Sequence, residues 1–314
     1  MRKIFGLGET VLDVVFKGEQ ALTAKAGGSV LNALVSLARM GHSCYFISEI
    51  GKDKVGDIIL NFLHKNKINT QYVQRHNEGQ SALAMAFLDE NNNASYDFYK
   101  NYPTERRKLP KPDFKEGDIV LFGSSYAISP DIRSQVHSIL EQAYKKNCIL
   151  LYDPNYRKKH DSQKDLYLQY IKENIRLASI IRGSNEDFDN IYQASSSEEA
   201  YLKIQKQCKH LIYTAHALGV FLHSYHMQKH YSVPALTPVS TIGAGDNFNA
   251  GIIHGILTRH MTRDDLQSMN EEDWDFLIQQ GIEFSSEVCK REDNYVPLGF
   301  RTPVNQPRVK PTRH

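Results

Sequence analysis

Cysteine is scarce in this chain, and the spacing of the few cysteines limits the possible folds. Four occur among the 314 residues, at positions 44, 148, 208 and 289. None forms a Cys-x-x-Cys pair or a zinc-binding spacing, which argues against a disulfide scaffold or a zinc domain. Gly8 and Glu9 interrupt the first apolar run too early for a secretory signal, and no run is long enough to cross a bilayer. We therefore expect reduced, buried thiols in a cytoplasmic protein without a membrane partner.

An excess of charge of one sign is also missing. The chain has 38 Lys and Arg against 36 Asp and Glu, a net charge of +2, so no broad basic surface for nucleic acid is expected and any anion site must be local. A Gly-x-x-x-x-Gly-Lys-Ser/Thr run is absent, which excludes a P-loop kinase. The pair Gly6-x-Gly8 lacks the third glycine of a dinucleotide fingerprint, since Val11 stands there, and this disfavours an NAD-dependent dehydrogenase.

What the chain does contain is an alternation of apolar strands with amphipathic helices, the pattern of βαβ units. It predicts an α/β fold with a central, mostly parallel sheet flanked by helices. The expected strands are 3–8, 44–49, 118–123, 148–152, 178–182 and 211–215. The expected helices are 28–40, 55–66, 130–146, 162–177, 198–208, 244–260 and 272–290.

Two stretches, about 11–24 and 80–100, break this alternation. Both have the pattern of short strands with polar turns, so they predict a small β-sheet set apart from the main one. A decorative hairpin on the edge of the main sheet is the alternative. We place one α/β domain at 1–300, and the proline-containing basic segment 301–314 is expected to be a flexible tail.

The segment from Thr241 to Phe248 has the most specific chemistry. Gly243 and Gly245 allow close approach of backbone N–H groups to an anion, and the apolar run after them predicts a helix whose N-terminus favours negative charge. Asp246 is then placed to take a proton from a hydroxyl while the amides of Gly243, Ala244 and Gly245 hold developing negative charge. The alternative is an Asp that only caps the helix.

A second group of polar residues lies near the N-terminus. Asp13 follows the first strand, where a carboxylate at the sheet edge can accept hydrogen bonds from two adjacent hydroxyls. Gly27 and Gly28 open the next helix and permit a close approach of backbone to ligand. Asn32 lies one turn further on and is either a ligand contact or a polar residue satisfied within helix packing.

These motifs together resemble the ribokinase-like (PfkB) carbohydrate kinases, whose two signatures are Gly-Gly-x-x-x-Asn-x-Ala and Asp-Thr-x-Gly-Ala-Gly-Asp. The resemblance covers nearly the whole chain to about residue 290. It implies that Asp246 is the catalytic base, that Gly27, Gly28 and Asn32 contact the sugar, and that the small sheet is a lid that excludes water. It also implies ATP and Mg²⁺ as cofactors, a small-molecule sugar as substrate and a possible homodimer through the lid.

The segment Asp153-Pro154-Asn155-Tyr156-Arg157 is similar to one in fructokinases and ketodeoxygluconate kinases, where Arg157 would contact substrate or nucleotide phosphate. A turn ion pair between Arg157 and Asp153 is the alternative.

At the nucleotide end the match to the family is incomplete. The resemblance assigns nucleotide contacts to Asn185, Thr214, Gly219 and Thr241. Ser240, Phe188 and His216 stand where the family has Asp, Glu and Gly. The metal ligands are therefore left unassigned, with Glu186 and Asp187 as candidates. We expect an ATP-dependent sugar kinase; the alternative is a catalytically impaired homologue that binds a sugar or nucleotide as a sensor.

Overall fold

A computed structural model of the chain describes residues 2–90, 94–104, 106, 108–156 and 163–302. Every strand and helix predicted from the sequence is present, within a few residues of the predicted bounds. The strands are β1 (Lys3–Leu7), β2 (Val11–Lys17), β3 (Gln20–Gly27), β4 (Ser43–Gly51), β5 (Val73–His76), β6 (Gln80–Leu88), β7 (Ala94–Asn101), β8 (Ile119–Gly123), β9 (Ile149–Asp153), β10 (Ile180–Ser184), β11 (Leu211–Thr214), β12 (Val220–His223) and β13 (Gln228–Tyr231).

Helices cover both faces of the main sheet. They are α1 (Ser29–Arg39), α2 (Lys54–Lys65), α3 (Ser124–Ala127), α4 (Arg133–Lys145), α5 (Lys164–Leu177), α6 (Asn185–Tyr192), α7 (Ser197–Ile204), α8 (Ala244–Thr258) and α9 (Glu271–Cys289). The sequence did not predict α3 and α6, because both are short and carry polar residues that are typical of loops. The predicted helix 130–146 begins with a 3₁₀ turn, Pro130–Ile132, before α4.

The main sheet has the strand order β13-β12-β11-β10-β9-β8-β1-β4-β5 and is parallel except at β12 and β13. Its central strands are buried on both sides, so consecutive side chains enter different cores. In β8, Ile119 packs under α1, α2, α8 and α9, whereas Val120 packs under the helices of the other face, α4 to α7. Because both faces of these strands are buried, their sequences are unbroken apolar runs.

A second, four-stranded sheet has the order β3-β2-β6-β7 and is built from the two stretches that broke the alternation. The pairing register places Lys25, Asp13, Ala84 and Phe98 in one row on the same face. The sheet is thus separate from the main one, as the sequence predicts, and not a hairpin at its edge.

Other sequence expectations have simple outcomes. All four cysteines are buried and unbonded. No helix in the described part of the chain is long and apolar enough to span a membrane. Most of the expected tail, residues 303–314, lies outside the described residues.

Candidate active site

The two sequence motifs meet at the start of two adjacent helices. Asn32 in α1 donates a hydrogen bond from Nδ2 to Oδ2 of Asp246 in α8, at 2.8 Å. The residue that caps α8 is Gly243, without a side-chain hydrogen bond, and Asp246 lies in the first turn. The alternative in which Asp246 caps the helix is therefore wrong, and its carboxylate is held by the other motif.

The glycine turn before α8 is fixed by backbone conformation and by its neighbours. Gly243 has φ of +80°, and a Cβ there would lie 2.8 Å from the Asn294 carbonyl oxygen, so a larger residue would be strained and would displace the turn. The N–H of Ala244 donates to Thr241 O at 3.2 Å. Of the three amides expected to hold an anion, this one is engaged by the protein's own turn.

Asn247, which sequence analysis missed, locks this turn. Its side chain is fully buried, and Nδ2 donates to Gly243 O at 2.8 Å and to Asn294 O at 2.7 Å. Its Oδ1 accepts a hydrogen bond from Ser36 of α1. Asn32 and Ser36, one turn apart on α1, thus contact the consecutive residues Asp246 and Asn247 and fix α1 against α8.

The expected sugar-contacting residues lie beside this pair. A Cβ on Gly27 would overlap Oδ2 of Asp13, and Gly28 caps α1 with φ of +136° in contact with the backbone of Glu9. Burial raises the pKa of Asp13 to about 6, since desolvation disfavours the charged form. The Oδ1 atom of Asn32 is buried and has no partner among the described residues, which leaves an acceptor that a ligand hydroxyl can satisfy.

Arg182 in β10 is a buried cation that connects several of the predicted residues. It donates from Nη1 to Asp153 at 2.9 Å and from Nη2 to Thr214 at 2.7 Å. A Cβ on Gly245 would lie 2.6 Å from Nη1, so the guanidinium packs directly on the glycine turn. Asn249 of α8 donates to the same Asp153 oxygen, at 2.6 Å. The signal for Arg182 was an arginine inside the apolar run of a buried strand, where a charge is rare unless it is paired.

The metal candidates are placed differently from one another. Asp187 forms a capping box with Ser184 and accepts from the backbone N–H of Tyr156 at 2.6 Å, while burial and the neighbouring Asp153 raise its pKa. Glu186 is exposed and lies 3.6 Å from His216. Among the described residues there is no cluster of three or more His, Cys, Asp or Glu that could hold a metal ion. Asp187 thus has a local structural role, and Glu186 is the carboxylate that stays accessible.

The three departures from the family pattern have plain structural explanations. Phe188 is fully buried and stacks on Tyr213, at 5.7 Å between ring centroids. Ser240 accepts a hydrogen bond from the backbone N–H of Ile242 at 3.2 Å. His216 is exposed and directed toward Glu186.

Of the remaining predicted contact residues, three lie in the described part of the chain and one does not. At the same edge of the sheet, Asn185 begins α6 with its Oδ1 buried and without a partner among the described residues, and Gly219 ends the turn that follows Thr214. Thr241 is exposed before the glycine turn. Arg157 lies outside the described residues.

Comparison with known proteins gives one consistent result. Residues 1–297 match the model of the family described as pfkB family carbohydrate kinase. The 2-dehydro-3-deoxygluconokinase of Haemophilus influenzae is 25% identical over 279 residues, which cover 82% of this chain and 87% of that protein. A fructokinase of Salmonella typhimurium is 22% identical, with 83% and 87% covered.

Solved structures agree on the fold. Aminoimidazole riboside kinase from Salmonella enterica, complexed with aminoimidazole riboside and an ATP analogue, superposes with a TM-score of 0.81 at 20% identity, covering 95% of this chain and 97% of that one. Fructokinase from Vibrio cholerae, in a form that binds fructose, ADP and calcium, gives a TM-score of 0.80 at 20% identity, with 94% of each chain covered.

Proposed function

The chain belongs to the pfkB family of carbohydrate kinases, and from this premise we propose that it transfers the γ-phosphate of ATP to a hydroxyl group of a sugar or sugar-like molecule, with a fructokinase-like acceptor favoured. The observation that carries the proposal is the Asn32–Asp246 hydrogen bond of 2.8 Å, beside the glycine turn at 243–245. It puts a carboxylate next to a place where an anion can sit, which is what phosphoryl transfer to a hydroxyl requires.

In the proposed mechanism Asp246 accepts the proton of the attacking hydroxyl as its oxygen bonds to the γ-phosphorus, while the bond from that phosphorus to the bridging oxygen breaks and ADP leaves. The amides of Gly243 and Gly245, together with the positive end of α8, stabilise the negative charge on the transferring group, while the Ala244 N–H donates to Thr241 O. The Arg182 guanidinium, packed on Gly245, adds a fixed positive charge close to this turn. The acceptor is oriented by Asp13, by the backbone at Gly27 and Gly28, and by Asn32 Oδ1.

The nucleotide end of the proposed site comprises Asn185, Thr214, Gly219 and Thr241, with ATP as phosphate donor. Mg²⁺ usually binds through one or two carboxylates, substrate phosphates and water, and bound Mg²⁺ would neutralise phosphate charge. The accessible Glu186 fits such a contact better than Asp187, whose oxygens are occupied. We also propose that Arg157, which lies outside the described residues, contacts substrate or phosphate.

The interpretation as an impaired sensor is not favoured. The three departures leave the Asn32–Asp246 hydrogen bond in place: Phe188 belongs to the core, Ser240 accepts a hydrogen bond within its turn and His216 is exposed. We further propose that the second sheet is the lid and pairs with the lid of a second copy, and that the protein acts in the cytoplasm.

The test is ATP consumption by the purified protein with magnesium, across a panel of ketoses, hexoses, ketodeoxy acids, pentoses and nucleosides. Turnover with one class is expected, and Asp246→Asn should lower kcat by about 100-fold or more, because general-base catalysis contributes 10²–10⁴-fold. The exposed Asp264→Asn is the matched control and should keep full activity. Sugar binding without turnover across the panel would contradict the proposal and support the sensor interpretation.

A further inference from the structure

A pocket lies at the edge of the main sheet where strands β10 and β11 begin, opposite to the candidate active site. It has a volume of about 210 Å³ and is formed by the ends of α4 and α5, by the segment before β11, and by Arg263, Leu266 and Gln267 after α8. The candidate active site lies at the carboxyl ends of the same strands. The two sites are thus separated by the length of the strands, and the proposed kinase reaction makes no use of this pocket.

The pocket is cationic. Arg176, Lys209 and Arg263 line it, and none of the described lining residues is Asp or Glu; Asp264 and Asp265 follow Arg263 in the chain but do not line the pocket. Arg263 and Lys209 are half-buried and Arg176 is exposed, whereas the buried Arg133 and Arg259 are paired with carboxylates. In the described ranges, by contrast, no ion pair includes any of the three cations that line the pocket. In a chain with a net charge of only +2, such a local excess attracts anions.

His210 adds a buried polar group without a partner. Only 5% of its surface is exposed, it lines the pocket, and its Nδ1 has no hydrogen-bond partner within the described chain. Burial lowers the pKa of His210 to about 4, so the ring is neutral near pH 7 and still carries one N–H. A buried polar atom without a partner costs about 1–3 kcal/mol, and a ligand oxygen that reached this buried nitrogen would offset the cost.

Helix ends account for only part of this arrangement. Cations often lie near helix C-termini, where they complement the helix dipole, and Arg263 does donate to the carbonyl of Tyr144 at the end of α4, at 3.0 Å. Arg176 is likewise in the last turn of α5. Helix ends explain neither Lys209 nor the unsatisfied His210, and the Arg263 guanidinium has further N–H groups to donate.

From these features we propose that the pocket binds a compact anion that carries a phosphate group. Arginine forks and a lysine match the three accepting oxygens of a phosphate. The pocket's volume of about 210 Å³ suits a compact ligand. The rings of Tyr144 and Tyr225 form exposed walls beside the cations.

The experiment is isothermal titration of the full chain with inorganic phosphate, and with malonate as a carboxylate anion of similar size. Lys209→Gln/Arg263→Gln removes two pocket cations, and Lys206→Gln/Arg301→Gln is a control with the same charge change at exposed positions outside the pocket. Phosphate is expected to bind the native chain and the control equally, and the pocket variant at least tenfold more weakly. Both variants should keep the melting temperature and kinase activity of the native chain.

Comparing the pocket variant with the control variant isolates the contribution of the pocket to phosphate binding, because both variants would bind phosphate equally at the proposed active site. Equal phosphate affinity in the pocket variant and the control would overturn the proposal. Malonate binding as tight as phosphate binding would overturn its assignment to phosphate. Neither result depends on whether the chain is a kinase.

Discussion

At the scale of single residues, the candidate site is fixed by buried polar groups whose hydrogen bonds are local and specific. Asn247 is the clearest case, since its amide joins the glycine turn, the 294 segment and α1. Nothing in the sequence distinguishes it from a solvent-facing asparagine at a helix start. Its role depends on what surrounds it in space.

We predict that Asn247→Ala lowers kcat by about 10- to 100-fold with the sugar KM nearly unchanged, because a misplacement of about 1 Å at the reacting group can cost about 100-fold. Steady-state kinetics in both substrates measures the split. Asn174, equally buried and hydrogen-bonded but remote in α5, is the matched control: Asn174→Ala should reduce the melting temperature and leave kcat intact. Equal kcat values in the two variants would show that Asn247 has no positioning role.

The raised pKa of Asp13, about 6, predicts a pH effect at the sugar end. The ionised carboxylate can accept a hydrogen bond from a substrate hydroxyl on each of its two oxygens, whereas below the pKa one of these oxygens is protonated and donates instead. The kcat/KM for the sugar should therefore fall as pH decreases through about 6, and a pH–rate profile measures it. Asp13→Asn should lower kcat/KM throughout and abolish this acid limb. If the limb persists in Asp13→Asn, another group titrates.

At the scale of elements, the site is assembled by ties between neighbouring strands and helices. Arg182 of β10 contacts Asp153 at the end of β9 and Thr214 at the end of β11, and Asn249 brings α8 to the same carboxylate. The three strands were predicted from their apolar runs, but their side-by-side order, which brings these side chains together, was not.

We predict that Arg182→Met lowers the free energy of unfolding by about 3–5 kcal/mol, because it leaves the buried Asp153 carboxylate without its cation. Urea unfolding followed by circular dichroism measures this change. The control Arg291→Met removes an exposed pair with Glu287 in which the arginine is 46% exposed, and should cost less than about 1 kcal/mol. A similar loss in both variants would mean that the Arg182–Asp153 pair adds no net stability.

At the scale of the whole molecule, the second sheet leaves large apolar side chains uncovered. Phe87 and Tyr99 are 37% and 55% exposed, and the register places both on the face opposite to Asp13. Phe98, 53% exposed, lies on the Asp13 face, so the sheet leaves apolar groups uncovered on both faces. Exposed apolar side chains that share a face, such as Phe87 and Tyr99, are typical of a protein interface.

We predict that the native chain sediments as a dimer and that Phe87→Glu/Tyr99→Glu sediments as a monomer, because charges would be buried at the lid contact. Analytical ultracentrifugation at micromolar concentration measures both. Leu202→Glu/Leu218→Glu, at positions that are more exposed and away from the second sheet, should remain dimeric. A native chain that sediments as a monomer would refute the proposed lid pairing.

The sequence by itself determined the α/β class, the separate small sheet and the two motifs, because these depend on periodicity and on glycine positions that are local to a segment. Tertiary structure alone decided the contacts between distant segments. It joined Asn32 to Asp246, placed Arg182 under Gly245, buried Phe188 in the core and engaged Asp187 in a capping box. Such contacts depend on strand order and helix packing, and the direction in which a side chain points is set by neighbours that are far away in the chain.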